Sequence, residues 1–217
     1  MHRKFQIHTV VLSVLLISSF ALFAKAEDQF VAGKHYQLLE QPVRTRDSSK
    51  VEVVEVFWYG CSHCYSFEPL VQQWKRNQSD DVDFWQSPAI WNSSMETHAR
   101  MFFTAKSLKV FDQVHEPIFA MMNVERKRLT DTDDIEDIFS DFGVDREKFR
   151  KTFTSFSVNS QVKQANARAR SYKISGTPEL VVNGKYRVSG REAGGQTEML
   201  KVVDFLINKE RANLSSQ

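Results

Sequence analysis

Both cysteines of this 217-residue chain lie in one short stretch, FWYGCSHCYSF, as Cys61 and Cys64. A disulfide between them would close a very short loop, and the stabilisation that a disulfide gives by restricting the unfolded chain grows with loop length. The spacing therefore favours a chemical role over a structural one. Two closely spaced thiols suit thiol–disulfide exchange, because one sulfur forms a mixed disulfide that the other can then attack.

A predicted helix directly after the first cysteine would determine which sulfur is reactive. Helical spacing continues up to about Arg76, so the sulfur of Cys61 is expected near the unpaired N–H groups at the positive end of this helix. His63 adds a second stabiliser, either an N–H donor or an imidazolium, and Cys64 lies one turn into the helix. Such surroundings lower the pKa of a thiol. A stabilised thiolate favours the reduced pair, so the protein is expected to give its disulfide away.

Two other uses of the cysteines remain open from the residues alone. One is an inert structural disulfide, and the other is a zinc site, which needs two further ligands. The sequence has no second C-x-x-C and no histidine pair at zinc-finger spacing, and the histidines after residue 26 are His35, His63, His98 and His115. No nucleotide, flavin or metal motif is present, so we expect no metal and no cofactor besides the redox-active Cys61–Cys64 disulfide.

The first 26 residues have the three parts of a secretory signal. Residues 1–8 carry two basic residues and no acid, residues 9–23 (TVVLSVLLISSFALF) are mostly apolar, and AKA at 24–26 fits a signal-peptidase site. The alternative is a membrane anchor, but a bilayer core needs about 20 apolar residues, and this run is shorter and contains serines. We therefore expect cleavage of residues 1–26, export without stable membrane insertion, and an oxidising compartment in which disulfides persist.

The charge balance changes when residues 1–26 are removed. They contain Arg3, Lys4 and Lys25 and no acid, which leaves 26 of the 29 basic residues against 27 acidic ones. The net charge of the mature chain is therefore −1 rather than +2. This balance offers no electrostatic argument for binding nucleic acid or anionic lipid. A content of 41% hydrophobic and 26% charged residues is ordinary for a soluble globular protein.

Hydrophobic spacing predicts strands near both ends of the mature chain. The early predicted strands are His35–Pro42, Val51–Trp58 and Asp81–Pro88. The helix after Cys61 would connect the second strand to the third. Late in the chain, Pro178–Gly190 predicts a hairpin that turns at Asn183-Gly184, and Gln196–Glu210 predicts a terminal amphipathic helix.

The segment from about Met95 to Tyr172 has a different pattern. Apolar residues recur at three- and four-residue spacing, which predicts four or five helices and no strand. We interpret His98 and His115 in this segment as surface or packing residues. The aromatic residues expected in its core are Phe102, Phe103, Phe119 and Phe139.

These elements predict an α/β fold in which helices cover both faces of a mixed sheet. The sheet domain would comprise residues 27–93 and 174–217, and an all-helical domain at 94–173 would be inserted into it.

The sequence resembles the DsbA-like thiol:disulfide oxidoreductases, thioredoxin-fold proteins of the bacterial periplasm. The resemblance covers nearly the whole mature chain and is carried by the export signal, EVFWYGCSHCYSFEP after a strand, the helical insertion and SGTPELVVNGKY. It implies a thioredoxin-like mixed sheet with an inserted all-helical domain. It also implies a periplasmic enzyme that donates its disulfide to reduced exported proteins and is reoxidised by a quinone-linked inner-membrane partner of the DsbB type.

The resemblance also implies roles for individual residues. Cys61 is similar to the exposed attacking cysteine, Cys64 to its buried partner, and His63 to the histidine of the family's C-x-H-C motif. Pro178 is similar to a cis-proline that packs beside the sulfurs, and Thr177 would offer backbone groups to a substrate peptide by strand addition. The alternative for the proline is an ordinary trans turn.

Two acidic residues fall where the family places acids. Glu55 precedes Cys61 by six residues, and a carboxylate in an apolar central strand is costly to bury. We therefore expect Glu55 to stay protonated or to exchange protons with Cys64; the alternative is a strand residue that faces a polar gap. Glu68, on the helix after the cysteines, matches a family position but fits a solvent-facing acid equally well.

Two positions depart from the family's best-known members and bear on the direction of the chemistry. Ser62 replaces a proline after the first cysteine, and Thr177 replaces the frequent valine before the cis-proline, as in the isomerase-like branch. An isomerase or reductase is therefore the alternative to a disulfide donor, and a non-catalytic peptide-binding chaperone is a further one. Such isomerases usually carry a dimerisation module, for which the segment from Glu27 to about Gly33 is too short, and this argues against the isomerase. We expect a monomer.

Overall fold

A five-stranded mixed sheet forms the centre of the computed structural model, which describes residues 29–214. The predicted signal at 1–26 lies outside the described residues. The strands are β1 Gln37–Leu38, β2 Val51–Phe57, β3 Val82–Pro88, β4 Glu179–Val182 and β5 Tyr186–Ser189, in the spatial order β1-β5-β4-β2-β3. The helices are α1 Ser62–Arg76, α2 Ser93–Leu108, α3 Phe111–Asn123, α4 Thr132–Asp141, α5 Arg146–Phe153, α6 Phe156–Ser171, α7 Gly190–Ala193 and α8 Gln196–Leu214.

Strand β2 positions the site, because the first cysteine follows the end of this strand by four residues. All seven of its residues are buried, and five of them are valine or phenylalanine, as is typical of a strand covered on both faces. It pairs in parallel with β3, from Val51 opposite Val82 to Phe57 opposite Pro88, and antiparallel with β4. The predicted α/β fold with a mixed sheet is confirmed.

The hydrophobic core has three parts. One lies between the sheet and helices α1 and α8 and includes Val53, Phe67 and Leu206. A smaller one lies on the opposite face of the sheet, with Val54 and Tyr172. The third fills the helical block and extends to the cysteines; it contains Phe57, Tyr59, Cys64, Phe102, Phe103, Phe119, Phe139 and Phe149. The four phenylalanines predicted for the helical core are therefore confirmed as buried.

The helical block matches its prediction in number of elements. Residues 94–173, all of them described, contain helices α2 to α6 and no strand. The proposed domain boundaries themselves (27–93 with 174–217, and 94–173) stay a prediction.

Three elements differ from their predicted extents. The strand predicted over His35–Pro42 is only two residues long, because it pairs with a single neighbour, β5, and Leu38 is left 60% exposed. Helix α7 was not predicted; the Ser189 hydroxyl caps it and Gly194 ends it in a left-handed conformation. The last helix continues past Glu210 to Leu214.

The predicted hairpin turn is confirmed, and it fixes a neighbouring segment. Asn183 and Gly184 both have positive φ, at 50° and 60°, as the two-residue hairpin turn requires. The Gly184 carbonyl accepts a hydrogen bond from Val43 N at 2.8 Å. A Cβ atom on Gly184 would lie only 1.9 Å from the Val43 carbonyl oxygen. Glycine is therefore required here by both the backbone angle and the close approach.

We expect Gly184→Ala to lower the free energy of unfolding by about 2–4 kcal/mol, since it combines left-handed strain with a backbone clash. Gly143→Ala is the matched control: its φ is +80° but open space surrounds the site, so a loss of only about 1 kcal/mol is expected. Urea unfolding of both variants measures the difference. Equal losses would contradict the role given to the contact with Val43.

Candidate active site

Cys61 occupies the N-cap position of α1. Its backbone is extended, its N–H donates to Trp58 O at 3.0 Å, and its sulfur accepts a hydrogen bond from Cys64 N at 3.3 Å. The turn after β2 thus places the sulfur at the positive end of the helix, as the sequence predicted. Both cysteines are free thiols in the structure, which is the reduced form of the pair.

The segment before β4 also contacts the sulfur of Cys61. The Thr177–Pro178 peptide bond is cis, which confirms the prediction and excludes the trans alternative. The Thr177 carbonyl oxygen lies 3.2 Å from Cys61 Sγ. Pro178 is buried and Thr177 is half-buried. Residues 116 positions apart in the chain therefore meet at the reactive sulfur.

The surroundings of Cys61 lower the pKa of its thiol to about 6. The largest cause is the hydrogen bond from the Cys64 side chain, opposed by burial; Thr177 and the backbone N–H groups of Cys64 and His63 add to the lowering. The predicted stabilised thiolate is thus confirmed in direction. His63 acts here through its backbone N–H, and its own side chain is exposed. Its carbonyl accepts a hydrogen bond from Gln196 Nε2 at 2.6 Å, which ties α8 to α1.

Cys64 has the opposite acid–base character. It is fully buried, and burial raises the pKa of its thiol well above the ordinary value. Its contact with Cys61 and the charges of Cys61 and Glu55 raise the pKa further. At neutral pH the reduced pair therefore holds one anion, on Cys61, and one proton, on Cys64.

Glu55 lies in the middle of β2 and is completely buried. Its Oε2 accepts a hydrogen bond from Gln86 Nε2 at 2.9 Å, while its Oε1 has no hydrogen-bond partner. Burial, and then the charge of Glu68, raise the pKa of Glu55 to about 8. The carboxyl is therefore mainly protonated at pH 7, which confirms the first of the two expectations for this residue.

Glu68 is 7% exposed, so the solvent-facing alternative is wrong. Its Oε2 accepts from the same Gln86 Nε2 at 2.9 Å, and its Oε1 accepts from Gln72 Nε2 at 2.7 Å. The Nε2 atom of His115 lies 3.3 Å from Oε1. One amide group thus joins two buried carboxyls beneath the cysteines.

Sequence reasoning missed three members of this polar cluster: Gln86, His115 and Tyr59. The packing interpretation of His115 is correct as far as it goes, since the residue is buried, but its polar contacts were not predicted. No local signal could have found them, because they come from a strand, a turn and a distant helix. Of the two departures from the family, Thr177 lies against Cys61, whereas Ser62 is an exposed residue at the start of α1.

A cavity of about 620 Å³ opens beside the cis-proline. Its lining is mixed in polarity and includes His63, Thr177, Pro178, Arg187, Arg191 and Gln196. Within residues 29–214 there is no group of three or more His, Cys, Asp or Glu side chains that could hold a metal ion. No helix within that range has the length and apolar character needed to cross a membrane.

An ionised cysteine at the start of a helix, a buried thiol one turn on and an adjacent cis-proline define a thioredoxin-fold thiol:disulfide oxidoreductase. A family model described as "DSBA-like thioredoxin domain" matches residues 78–198, which begin after the two cysteines. The chain belongs to this DsbA-like family, and it is a thiol:disulfide interchange enzyme that serves oxidative folding.

Two relatives and one solved structure show the extent of the similarity. The thiol:disulfide interchange protein DsbA of Pseudomonas aeruginosa is 42% identical over 91% of this chain and 93% of its own length. The protein of the same name from Pseudomonas syringae pv. tomato is 38% identical over 94% of this chain and 96% of its own. The crystal structure of Pseudomonas aeruginosa DsbA superposes with a TM-score of 0.83 at 41% identity, covering 87% of this chain and 98% of that one.

In the reduced protein, we expect the alkylation rate of Cys61 by iodoacetamide to rise with pH around a midpoint of about 6. Cys64 should stay unmodified in the folded protein because it is buried and protonated. Mass spectrometry locates the label, and Cys61→Ser serves as the control without a reactive site. A midpoint near 9, the ordinary value for a thiol, would contradict the described environment of Cys61.

We expect Glu55→Gln to stabilise the oxidised protein by about 1–3 kcal/mol at pH 7, since the fold must hold a proton on a buried carboxyl. Because the folded-state pKa of Glu55 is raised, its contribution to stability is complete below the unfolded value of about 4.5 and is lost as the pH rises towards about 8. The advantage of the variant should therefore grow across this window. Urea unfolding at several pH values measures it, and a pH-independent difference would refute the assignment.

Proposed function

We propose the following roles for the site residues in the donation of the Cys61–Cys64 disulfide. A substrate thiolate attacks the sulfur of Cys61, forms a mixed disulfide there and displaces the sulfur of Cys64. The displaced sulfur takes a proton from Glu55, which later regains one from solvent. A second substrate cysteine then attacks the mixed disulfide, so the substrate loses two electrons and leaves with a disulfide, and Cys61 remains as a thiolate.

The observation that carries this proposal is the unequal acidity of the two thiols. The pKa of Cys61 is lowered to about 6, so Cys61 leaves readily as a thiolate when the second substrate cysteine attacks the substrate sulfur of the mixed disulfide. The raised pKa of Cys64 keeps that thiol protonated, so it does not attack the mixed disulfide first. The thiolate stabilises the reduced form by about 1 kcal/mol at pH 7 once screening by solvent at the half-buried sulfur is included. This makes the pair more oxidising by about 20 mV.

Substrate recognition in this proposal uses the backbone beside the cis-proline. Thr177 precedes strand β4 and lies against Cys61, so an extended peptide bound there would place its cysteine near the reactive sulfur. Main-chain hydrogen bonds tolerate many sequences, as a donor to varied clients requires. His63 supports the thiolate through its backbone N–H, and Ser62 stays exposed at the surface that a client approaches.

The compartment and the partners belong to the same proposal. After cleavage of residues 1–26 the protein would work in the periplasm as a monomer on reduced exported proteins. A quinone-linked inner-membrane protein of the DsbB type would reoxidise it, docking near Cys61 and Pro178. The enzyme would need no bound cofactor, because the Cys61–Cys64 disulfide is itself the electron acceptor. The similarity to proteins named DsbA over more than 90% of the chain supports this setting.

The direction of the reaction can be tested by comparing the two redox forms. We expect the reduced protein to melt above the oxidised one at pH 7, by about 2–4 °C for 1 kcal/mol. Because the folded-state pKa of Cys61 lies below the ordinary value of 9.0, this advantage is complete only above pH 9 and is lost as the pH falls through about 6. Calorimetry at several pH values measures this advantage. A higher melting temperature for the oxidised protein would contradict the proposal that the protein donates its disulfide.

The isomerase alternative rests on Thr177, and activity assays distinguish it from the donor proposal. The donor proposal expects oxidation of a dithiol peptide by the disulfide form, loss of this reaction in Cys61→Ser, and no recovery of a protein with scrambled disulfides. Efficient recovery from the dithiol form would favour the isomerase instead.

A further inference from the structure

His115 is a buried polar residue that the proposed reaction does not use. It lies on α3, in the helical block, and is 5% exposed. Its ring is in contact with five aromatic rings: those of Phe57, Tyr59, Phe102, Phe111 and Phe119. A non-polar side chain would fill this site without the cost of burying an imidazole. The two ring nitrogens therefore need an explanation.

The two nitrogens face two different polar groups. Nδ1 lies 2.7 Å from the Tyr59 hydroxyl, and Nε2 lies 3.3 Å from Glu68 Oε1, without the alignment of a full hydrogen bond. Burial raises the pKa of Tyr59 well above its ordinary value, so the phenol keeps its proton and can donate it to Nδ1. With the phenol as the donor to Nδ1, the proton of a neutral imidazole lies on Nε2, facing the carboxylate. Tyr59 thus orients His115 towards Glu68.

His115 is the largest of the three contacts that keep Glu68 ionised. Burial by itself raises the pKa of this carboxyl, but the contacts with His115, Gln72 and Gln86 outweigh it and lower the pKa. The Gln86 amide joins Glu68 to Glu55, and repulsion between the two carboxylates favours a single shared proton. Since Glu68 is held ionised, that proton belongs to Glu55.

The groups around His115 leave few other influences on this proton. Helix α1 contributes Glu68 and Gln72, strand β2 contributes Glu55, and strand β3 contributes Gln86. Among the described residues of α2, Lys106 is the nearby cation, and it lies over the rings of Phe102 and Phe111 that pack against His115.

We propose that His115 is a positioning residue for the thiol–disulfide reaction, which through Glu68 keeps the shared proton on Glu55, next to Cys64. The proposal rests on the proposed role of Glu55 as proton donor to the displaced sulfur. It assigns the helical block a part in the chemistry of the sheet domain. Without His115 the proton moves to Glu68, and Glu55 becomes an anion whose charge opposes the Cys61 thiolate.

The test is His115→Phe, which keeps a ring in the aromatic site and removes both nitrogens. We expect the pKa of Cys61, followed by the ultraviolet absorbance of its thiolate, to rise by about one unit. The equilibrium with glutathione at pH 7 should shift about fivefold towards the disulfide form of the protein. Tyr59→Phe, which removes only the hydroxyl that orients the ring, should shift both quantities in the same direction by less.

His98→Phe is the matched control. His98 is also a buried histidine of the helical block, and its Nδ1 accepts from Trp58 Nε1 at 2.9 Å, but its hydrogen bonds involve no carboxylate. Each substitution leaves a donor without its partner, the Tyr59 hydroxyl in His115→Phe and the Trp58 Nε1–H group in His98→Phe, so both should lower the melting temperature. Only His98→Phe should leave the thiolate titration and the glutathione equilibrium unchanged. If His115→Phe lowered the melting temperature but left the thiolate titration and the glutathione equilibrium unchanged, His115 would be a packing residue and the proposal would be overturned.

Two further variants keep the outcome decisive. In a Glu68→Gln background, His115→Phe should cause no additional shift of the Cys61 pKa; a full additional shift would show that the effect does not pass through Glu68 and would overturn the proposal. If His115→Phe fails to fold, Tyr59→Phe decides, and wild-type values for it would also overturn the proposal. Unchanged exchange kinetics in Glu55→Gln would instead reject the proton-donor role of Glu55 itself.

Discussion

The negative charge on the Cys61 sulfur is the feature around which this molecule is organised. A thiolate at a helix N-cap receives N–H groups that the helix leaves unpaired, and here the Cys64 thiol and Thr177 add to that support. Each contribution comes from a different level of structure: the turn after β2, the first turn of α1, and the segment before β4. The stabilisation of the sulfur is therefore complete only when the sheet has brought all three together.

The polar cluster beneath the cysteines imposes a cost that the rest of the fold must offset. Two carboxyls share one glutamine amide in the interior, and one oxygen of Glu55 has no hydrogen-bond partner. Buried groups of this kind are expensive unless they are fully paired. The surroundings are rich in large buried side chains, with β2 wholly buried and an aromatic core reaching from the helical block to Cys64. The site is thus a small polar cluster surrounded by buried apolar side chains.

The features that the sequence predicted well are those that depend on neighbouring residues. The cysteine spacing, the buried strand before it, the Asn183-Gly184 turn and the helical periodicity of the insertion all follow from local patterns, and the structure confirms them. The cis bond before Pro178 was predicted only from the resemblance to a family. An edge strand with one partner was predicted too long, because periodicity does not show how many neighbours a strand has.

The polar partners of Glu68 illustrate what local patterns do not contain. Gln86 is one residue in a strand, His115 one residue in a helix, and neither has a distinguishing neighbour in sequence. Their meeting at Glu68 depends on the register of β2 against β3 and on the packing of α3 on α1. Sequence patterns indicate the reactive sulfurs, whereas only the folded molecule shows what surrounds them.

The contact between Cys61 and Thr177 has a consequence for the order in which the protein is made. The cysteine motif leaves the ribosome long before the segment that completes its surroundings, since 116 positions separate the two. The hydrogen bond from Gln196 to the His63 carbonyl comes later still. A nascent chain therefore lacks part of the support for the Cys61 thiolate through most of its emergence, and the surroundings of the sulfur are complete only when the last elements join the sheet.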